Sequence, residues 1–355
     1  MPQLKRVHAI VVAALLIGIG GLVAFQLDWH APKATLATVR VGWLTGDLHH
    51  LPYFVARDRD IGHGRSFFEE YGLNVTDSSP VGYPNGPAEM DAIAAGDVDV
   101  GFVGLSPAIT KHLNAEVNTI VVAQVNSIGS ALVVRYPVTS LHDLRTKTIA
   151  TPGPGTVQYF LLLKLIEEEG ENVADYVLIK LAPKDMRASM EANTIDAFVA
   201  WEPYCSDSVV DNIGVIYKNS SDIWPNHICC VIVVHKTFAM DHPDVVINFL
   251  KAHVKATNWI NRAKDSGSSS EDYASMIDIA VNFTGRSVAV IEQALKNIEY
   301  GYEIDDGFMQ CFTDFTYKLI QYEIVAYDRI EASGYANIYD FASKYIDTSY
   351  LKKAK

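Results

Sequence analysis

Cysteine is scarce in this chain: four among 355 residues, at positions 205, 229, 230 and 311. That is too few to frame a disulfide-held miniprotein, and no Cys-x-x-Cys pair is present. An excess of positive charge is missing too. Beyond residue 30, 27 basic residues stand against 41 acidic ones, a net charge of −14, which argues against nucleic acid as a partner. The glycine loop at 152–156 lacks the Gly-Lys-Ser/Thr ending of a phosphate-transfer site. No Gly-x-Ser-x-Gly motif and no paired catalytic carboxylates are found, and no lysine stands in the strand-end loops to form a Schiff base. The chain therefore reads as a non-enzyme, with no cofactor and no metal. After residue 30 no run of 18 apolar residues exists.

The one long apolar run comes first. Lys5 and Arg6 precede a 17-residue stretch from Ala9 to Phe25. It is long for a signal sequence and just inside the transmembrane range. Positive charge ahead of it places the rest of the chain outside the cytoplasm. Residues 1–30 are expected to be a signal peptide or an N-terminal membrane anchor formed by one hydrophobic helix.

The remainder repeats itself once. "MDAIAAGDVDVGFVG" (90–104) aligns with "RASMEANTIDAFVAW" (187–201) at a constant offset of 97 residues. Gly96 falls on Asn193, the two residue types that best tolerate the left-handed end of a helix. Asp99 falls on Asp196, and a short unbroken apolar run follows each, as in a parallel strand buried on both faces. The preceding units, 37–47 and 146–156, also correspond. Each half reads strand, loop, helix, strand, helix, strand, which predicts two α/β lobes of similar design. From about Pro243 the chain turns to amphipathic helices, with Val246, Phe249, Leu250, His253 and Trp259 on one face.

In open α/β sheets, ligands sit beyond the carboxyl ends of the strands, where helix N-termini offer free N–H groups. The strand ends present Trp43, Thr45, Asp47, His49, His50 and Tyr53; Gly104 and Ser106; Ser127, Gly129 and Ser130; Gly153, Gly155 and Thr156; and Trp201, Glu202 and Tyr204. Together they form the polar and aromatic lining of a small-molecule cleft. Thr156 either meets an anion or merely caps its helix. Glu202 either receives an ammonium group or bonds internally.

The stretches "LPYFVARDRD", "DVDVGFVGLSPAI", "LHDLRTKTIATPGPGTVQYFLL", "IDAFVAWEPY" and "HPDVVINFLKAHVKATNWI" occur in the order seen in the nitrate/sulfonate/taurine class of ABC-transporter substrate-binding proteins. The chain resembles that class from about residue 38 onward. The resemblance implies an α/β, two-lobed fold of the periplasmic-binding-protein type (type II), with the ligand cleft between the lobes. Lobe one is expected from 36–126 plus 233–355, and lobe two from 127–232. Trp43, His49, His50, Ser106, Ser130, Thr156, Trp201 and Glu202 match the family's ligand loops. The implied function is capture of a small anionic or zwitterionic solute, sulfonate-, taurine- or nitrate-like, by lobe closure. The monomer would deliver it to a membrane permease with its ATPase. His50-Leu51-Pro52 also resembles the first loop of binders of a pyrimidine thiamine precursor, which is the alternative solute. An enzyme of the thiamine-pyrimidine synthase type is the alternative from another class.

One stretch departs from the family. Cys205, His227, Cys229 and Cys230 lie close in sequence. Three readings stay open: a disulfide from Cys205 to Cys229 or Cys230, buried free thiols, or a metal site. The last is disfavoured because adjacent cysteines do not easily both reach one tetrahedral ion with ordinary geometry, and no Cys-x-x-Cys spacing exists.

Overall fold

In the computed structural model, residues 36–355 are described; the hydrophobic segment expected to be a signal peptide or anchor lies outside them. Eleven strands form two sheets. Strands β1 (Ala37–Gly42), β2 (Leu73–Asp77), β3 (Val100–Gly104) and β4 (Thr119–Ile128) belong to the first. Strands β5 (Ser130–Val134), β6 (Thr148–Thr151), β7 (Val177–Lys180), β8 (Ala197–Trp201) and β9 (Val215–Asn219) make the second. The chain then returns to the first sheet with β10 (Ile228–His235) and β11 (Ile298–Tyr300).

The internal repeat reappears in space. The orders β2-β1-β3-β10-β4 and β7-β6-β8-β5-β9 correspond strand for strand, with β11 added at one edge. In each lobe the first three strands are parallel and the next two neighbouring pairs are antiparallel. Gly96 and Asn193 both adopt positive φ, at 79° and 58°. The aspartates three residues later do the same work twice. Asp99 donates its N–H to the Arg40 carbonyl and accepts from the Arg40 N–H, at 2.9 and 2.8 Å. Asp196 makes the same pair of bonds with Thr148, at 2.9 and 3.1 Å. Each aspartate thus ties the third parallel strand to the first at the end opposite the ligand loops, and each also meets an arginine, Arg40 or Arg135.

The lobes are joined by two crossings. One is Ile128–Gly129, between β4 and β5, and both residues have positive φ, 52° and 89°. For a β-branched isoleucine this is strained backbone. The other crossing leads from β9 through the short helix Ser220–Ile223 into β10. The expected boundary at residue 233 falls inside β10, which pairs with β3 and β4 along its length. The chain is therefore back in the first sheet from Ile228.

The helical region predicted after Pro243 begins with the helix Pro243–Ser266, opened by its proline and followed by Gly267 at φ 76°. Val246, Phe249, Leu250, His253 and Trp259 are buried on its inner face. His253 is an apolar-face histidine in the full sense. Its Nε2–H donates to the Gln124 carbonyl at 3.0 Å, and its ring meets Phe102 edge-on at 5.8 Å.

Burial pushes His253 down to about 4, and His112 likewise to about 4. Both are neutral in the fold, while an unfolded histidine titrates near 6.5. Between those values the unfolded chain binds more protons, so stability falls as pH drops from about 6.5 towards 4, by up to about 3 kcal/mol per histidine. Denaturant melts of His253→Gln should show a larger loss at pH 7 than at pH 4.5. An equal loss at both would mean that His253 titrates alike in the folded and unfolded chain.

Candidate functional site

The carboxyl ends of the central strands face one another across the two lobes and enclose a cavity. Leu44, Asp47, His49, Gly104, Pro107, Cys229 and Cys230 line it from the first lobe. Thr156, Val157, Gln158 and Trp201 line it from the second. It is about 10 Å³, the size of a single water site, so the lobes stand closed on each other. Wider grooves lie elsewhere, one of about 640 Å³ beside Tyr159 and Glu167. They open to solvent, and Glu167 there is already bonded to Lys318, Gln321 and Tyr322.

The first loop shapes the floor. Asp47 caps the short turn Leu48–His50 by accepting from the His49 backbone N–H at 2.9 Å. This turns both histidines inward, and both are fully buried. His49 Nε2–H donates to the Gly129 carbonyl at 2.9 Å. A carbonyl only accepts, so Nε2 carries the proton and Nδ1 faces the cavity floor. Around Nδ1 stand Asp47 Oδ1 at 3.2 Å, Cys229 Sγ at 3.5 Å and Cys230 Sγ at 3.8 Å. His50 is set the other way. Its Nδ1 accepts from the Leu44 N–H at 3.1 Å, which leaves Nε2–H pointing towards Asp47 Oδ2 at 3.8 Å.

The electrostatics follow from burial. Desolvation pushes the Asp47 carboxyl up to about 7, against the pull of His49. Desolvation would lower His49, but the Cys229 and Asp47 charges outweigh it and lift the ring to about 9. The Cys229 thiol is held below its usual range by the hydrogen bond from Cys230 and by His49, while burial pushes Cys230 up. His50 is lowered by burial and by its neighbour His49.

The eight residues matched to ligand loops divide into three groups. His49, Thr156 and Trp201 line the cavity. His50, Ser106 and Ser130 stand directly behind the lining, and Ser130 Oγ accepts from Gln158 Nε2 at 2.9 Å. Trp43 and Glu202 serve elsewhere. Trp43 Nε1–H donates to Asp77, and its ring packs edge-on against Phe54. Glu202 accepts from the Ser206 N–H, the Ser206 hydroxyl and Asn297 Nδ2, so both its oxygens are taken. Thr156 donates its hydroxyl to the Gly153 carbonyl and caps the helix Val157–Glu168; it shapes the wall and has no free hydroxyl proton. All four cysteines are free, and Cys205 lies in lobe two, donating to the Ala200 carbonyl.

Sequence reasoning missed Gln158 and the inward turn of both Cys229 and Cys230. A β-bulge explains the pair. Ile228 is opposite Ser127 and Cys230 is opposite Asn126, so Cys229 is an extra residue on β10. The bulge breaks the alternation that would send neighbouring side chains to opposite faces. No signal in the sequence marks it.

Two buried donors near the cavity have no partner: Trp201 Nε1–H, which lines it from lobe two, and the Ser106 hydroxyl, behind the lining in lobe one. Ser106 opens the helix Leu105–Ala115, whose N-terminus carries no side-chain cap. The helix Val157–Glu168 also points its N-terminus at the cavity, from the other lobe. Neither Lys nor Arg is among the lining residues.

Comparison with known proteins places this geometry. Residues 33–272 match the model of the NMT1-like family. The chain is 29% identical over 177 residues to the taurine-binding periplasmic protein of Escherichia coli (strain K12), covering 49% of this chain and 54% of that one. It is 23% identical over 294 residues to the nitrate/nitrite binding protein NrtA of Nostoc sp. (strain PCC 7120), covering 77% and 64%. It thus spans between about half and two thirds of these relatives' length. Its fold is shared with the alkanesulfonate-binding protein SsuA from Xanthomonas axonopodis pv. citri bound to MOPS, with a TM-score of 0.68 at 18% identity over 82% of this chain and 96% of that one.

The seat of His49 is tested by two glycines. A Cβ on Gly129 would lie 2.2 Å from His49 Nε2, whereas one on Gly96 meets nothing within 4 Å. Both have positive φ, so Gly96→Ala should cost only the left-handed backbone penalty of about 1–2 kcal/mol. Gly129→Ala should cost clearly more in thermal melts. Equal losses would show that His49 is not locked in place.

Proposed function

This chain belongs to the NMT1-like family, and from that premise we propose that it is the extracytoplasmic solute-binding component of an ABC importer. Its ligand is a small anionic or zwitterionic solute of the sulfonate, taurine or nitrate kind. One observation carries this reading: the buried, unpartnered Trp201 Nε1–H lines the closed cavity from lobe two, and the buried, unpartnered Ser106 hydroxyl stands between the lining residues Gly104 and Pro107 in lobe one. Two helix N-termini accompany them. With neither Lys nor Arg in the lining, an anion would be held by helix dipoles and neutral donors.

The mechanism is lobe closure about Ile128–Gly129 and the β9–β10 crossing. Contacts between the lobes already define the closed arrangement: the Leu48 N–H donates to the Glu202 carbonyl at 3.0 Å, and the Tyr204 hydroxyl donates to the Thr45 carbonyl at 2.9 Å. A solute touching both lobes stabilises that arrangement by its differential contacts. Partners are a membrane permease and its ATPase. The protein acts as a monomer at the outer face of the membrane, held by residues 9–25 or released from them, and catalyses no reaction.

The reading is tested by thermal shift of the metal-free full-length protein in mild detergent, against taurine, short alkanesulfonates, nitrate and aminopyrimidines. A solute at 100 times its dissociation constant adds about 2.7 kcal/mol. A shift with sulfonates or nitrate is expected; a shift with aminopyrimidines alone would replace the proposed solute class. Ser106→Ala and Trp201→Phe should each weaken binding by roughly five- to tenfold, about 1 kcal/mol. The free protein should melt no lower, since each change removes an unsatisfied buried donor. Unchanged affinity in both variants would sink the site assignment.

A further inference from the structure

We propose that His49, Cys229 and Cys230 form a binding site for a thiophilic divalent cation of the zinc type, at the floor of the inter-lobe cavity. The donor set is one imidazole nitrogen and two sulfurs, the soft combination that zinc favours. Its spacing fits. Bond lengths of about 2.3 Å to sulfur and about 2.0 Å to nitrogen place tetrahedral ligands roughly 3.8 Å apart for two sulfurs and roughly 3.5 Å apart for sulfur and nitrogen. Here the sulfurs are 3.9 Å apart, and they lie 3.5 and 3.8 Å from His49 Nδ1. All three residues are fully or almost fully buried.

Three features go beyond proximity. The bulge at Cys229 turns two adjacent side chains to one side, which a regular strand does not do. The Gly129 carbonyl takes the Nε2 proton of His49 and so holds the ring with Nδ1 towards the two sulfurs, the outer-shell arrangement that orients a ligating histidine. The histidine next to it is set differently: His50 Nδ1 is occupied by the Leu44 N–H, so Nε2 carries the proton, and it finds no hydrogen-bond partner, Asp47 Oδ2 being 3.8 Å away. Asp47, 3.2 Å from His49 Nδ1, stands beside the set as an acceptor or a fourth ligand. Any remaining position opens onto the cavity that Thr156, Gln158 and Trp201 also line. Binding replaces two protons with one cation: both sulfurs enter as thiolates and His49 as neutral imidazole, so the proton shared between Cys229 Sγ and His49 Nδ1 and the proton of Cys230 leave to solvent.

The test uses full-length protein, reduced and freed of metal by a chelator, titrated with Zn²⁺ and with Co²⁺ as an optical surrogate. One ion per chain is expected, with release of about two protons per ion. The cobalt form should show thiolate-to-cobalt charge transfer and the visible bands of a tetrahedral site. Cys229→Ser and Cys230→Ser should each weaken binding by at least roughly 100-fold, while Cys205→Ser, a buried thiol outside the site, should bind as the parent does. Zinc should also protect Cys229 and Cys230, but not Cys311, from alkylation read by peptide mass; this needs no variant and so stands even if a serine variant fails to fold. Less than about a tenth of an equivalent bound, an octahedral cobalt spectrum without sulfur bands, or alkylation unaffected by zinc would overturn the proposal. The site does not depend on the solute reading, and the solute screen is run without metal, so the two fail separately.

Discussion

The Gly129 carbonyl is where the parts of this protein meet. It accepts from His49 Nε2–H at 2.9 Å and from the Glu202 N–H at 2.9 Å. One donor belongs to the first loop of lobe one, the other to the end of β8 in lobe two, and the acceptor sits on the strand crossing between them. A carbonyl oxygen has two lone pairs, and here both are used to set the relation between the lobes. The left-handed backbone at Ile128 and Gly129 aims that oxygen, and a side chain at position 129 would collide with the ring it holds. Lobe position, the tautomer of His49 and the shape of the cavity floor are therefore one variable rather than three.

Much of the architecture was legible in the sequence because it rests on local rules. Gly96 and Asn193 announced left-handed helix ends, and the aspartates three residues on marked equivalent strand starts. The apolar periodicity after Pro243 gave the buried face of the long helix. What could not be read depends on contacts between distant segments. Glu202 looked like a ligand group from its place after β8, but Asn297, 95 residues later, closes its coordination together with Ser206. Trp43 looked like a cleft aromatic, but Asp77 on the neighbouring strand claims its N–H. A shared role for Cys229 and Cys230 was the disfavoured reading because the two are adjacent, and the bulge that turns both to one side leaves no trace in residue type.

The chemistry of the floor is a matter of how few charges can share a dry space. Asp47, His49, Cys229 and Cys230 offer one carboxylate, one imidazole and two thiols within a few ångströms, with almost no water to screen them. Burial therefore raises Asp47 above its ordinary range, while the hydrogen bond from Cys230 and the charge of His49 bring Cys229 below its own. The unpaired donors of Ser106 and Trp201 face the opposite problem: they have hydrogen to give and no acceptor. The cavity thus combines a floor of titratable groups with an unsatisfied donor on its wall, Trp201 Nε1–H, and neither Lys nor Arg lines it.

The bulge has a further consequence for how the floor can change over time. Its extra residue on β10 is followed at once by an extra residue, Val125, on β4, which restores the register until Val122 on β4 shifts it again between Ile232 and Val233. The two sulfurs are spaced by a single peptide unit, held in place by the Cys230 N–H donating to Asn126 Oδ1 at 3.2 Å. Substitution can remove a thiol, but it cannot move the pair apart. Their separation is written in the count of residues along two strands, and only paired insertion or deletion would retune it. The preferred size of whatever the sulfurs grip is in that sense an inherited property of chain length, slower to drift than any side chain around it.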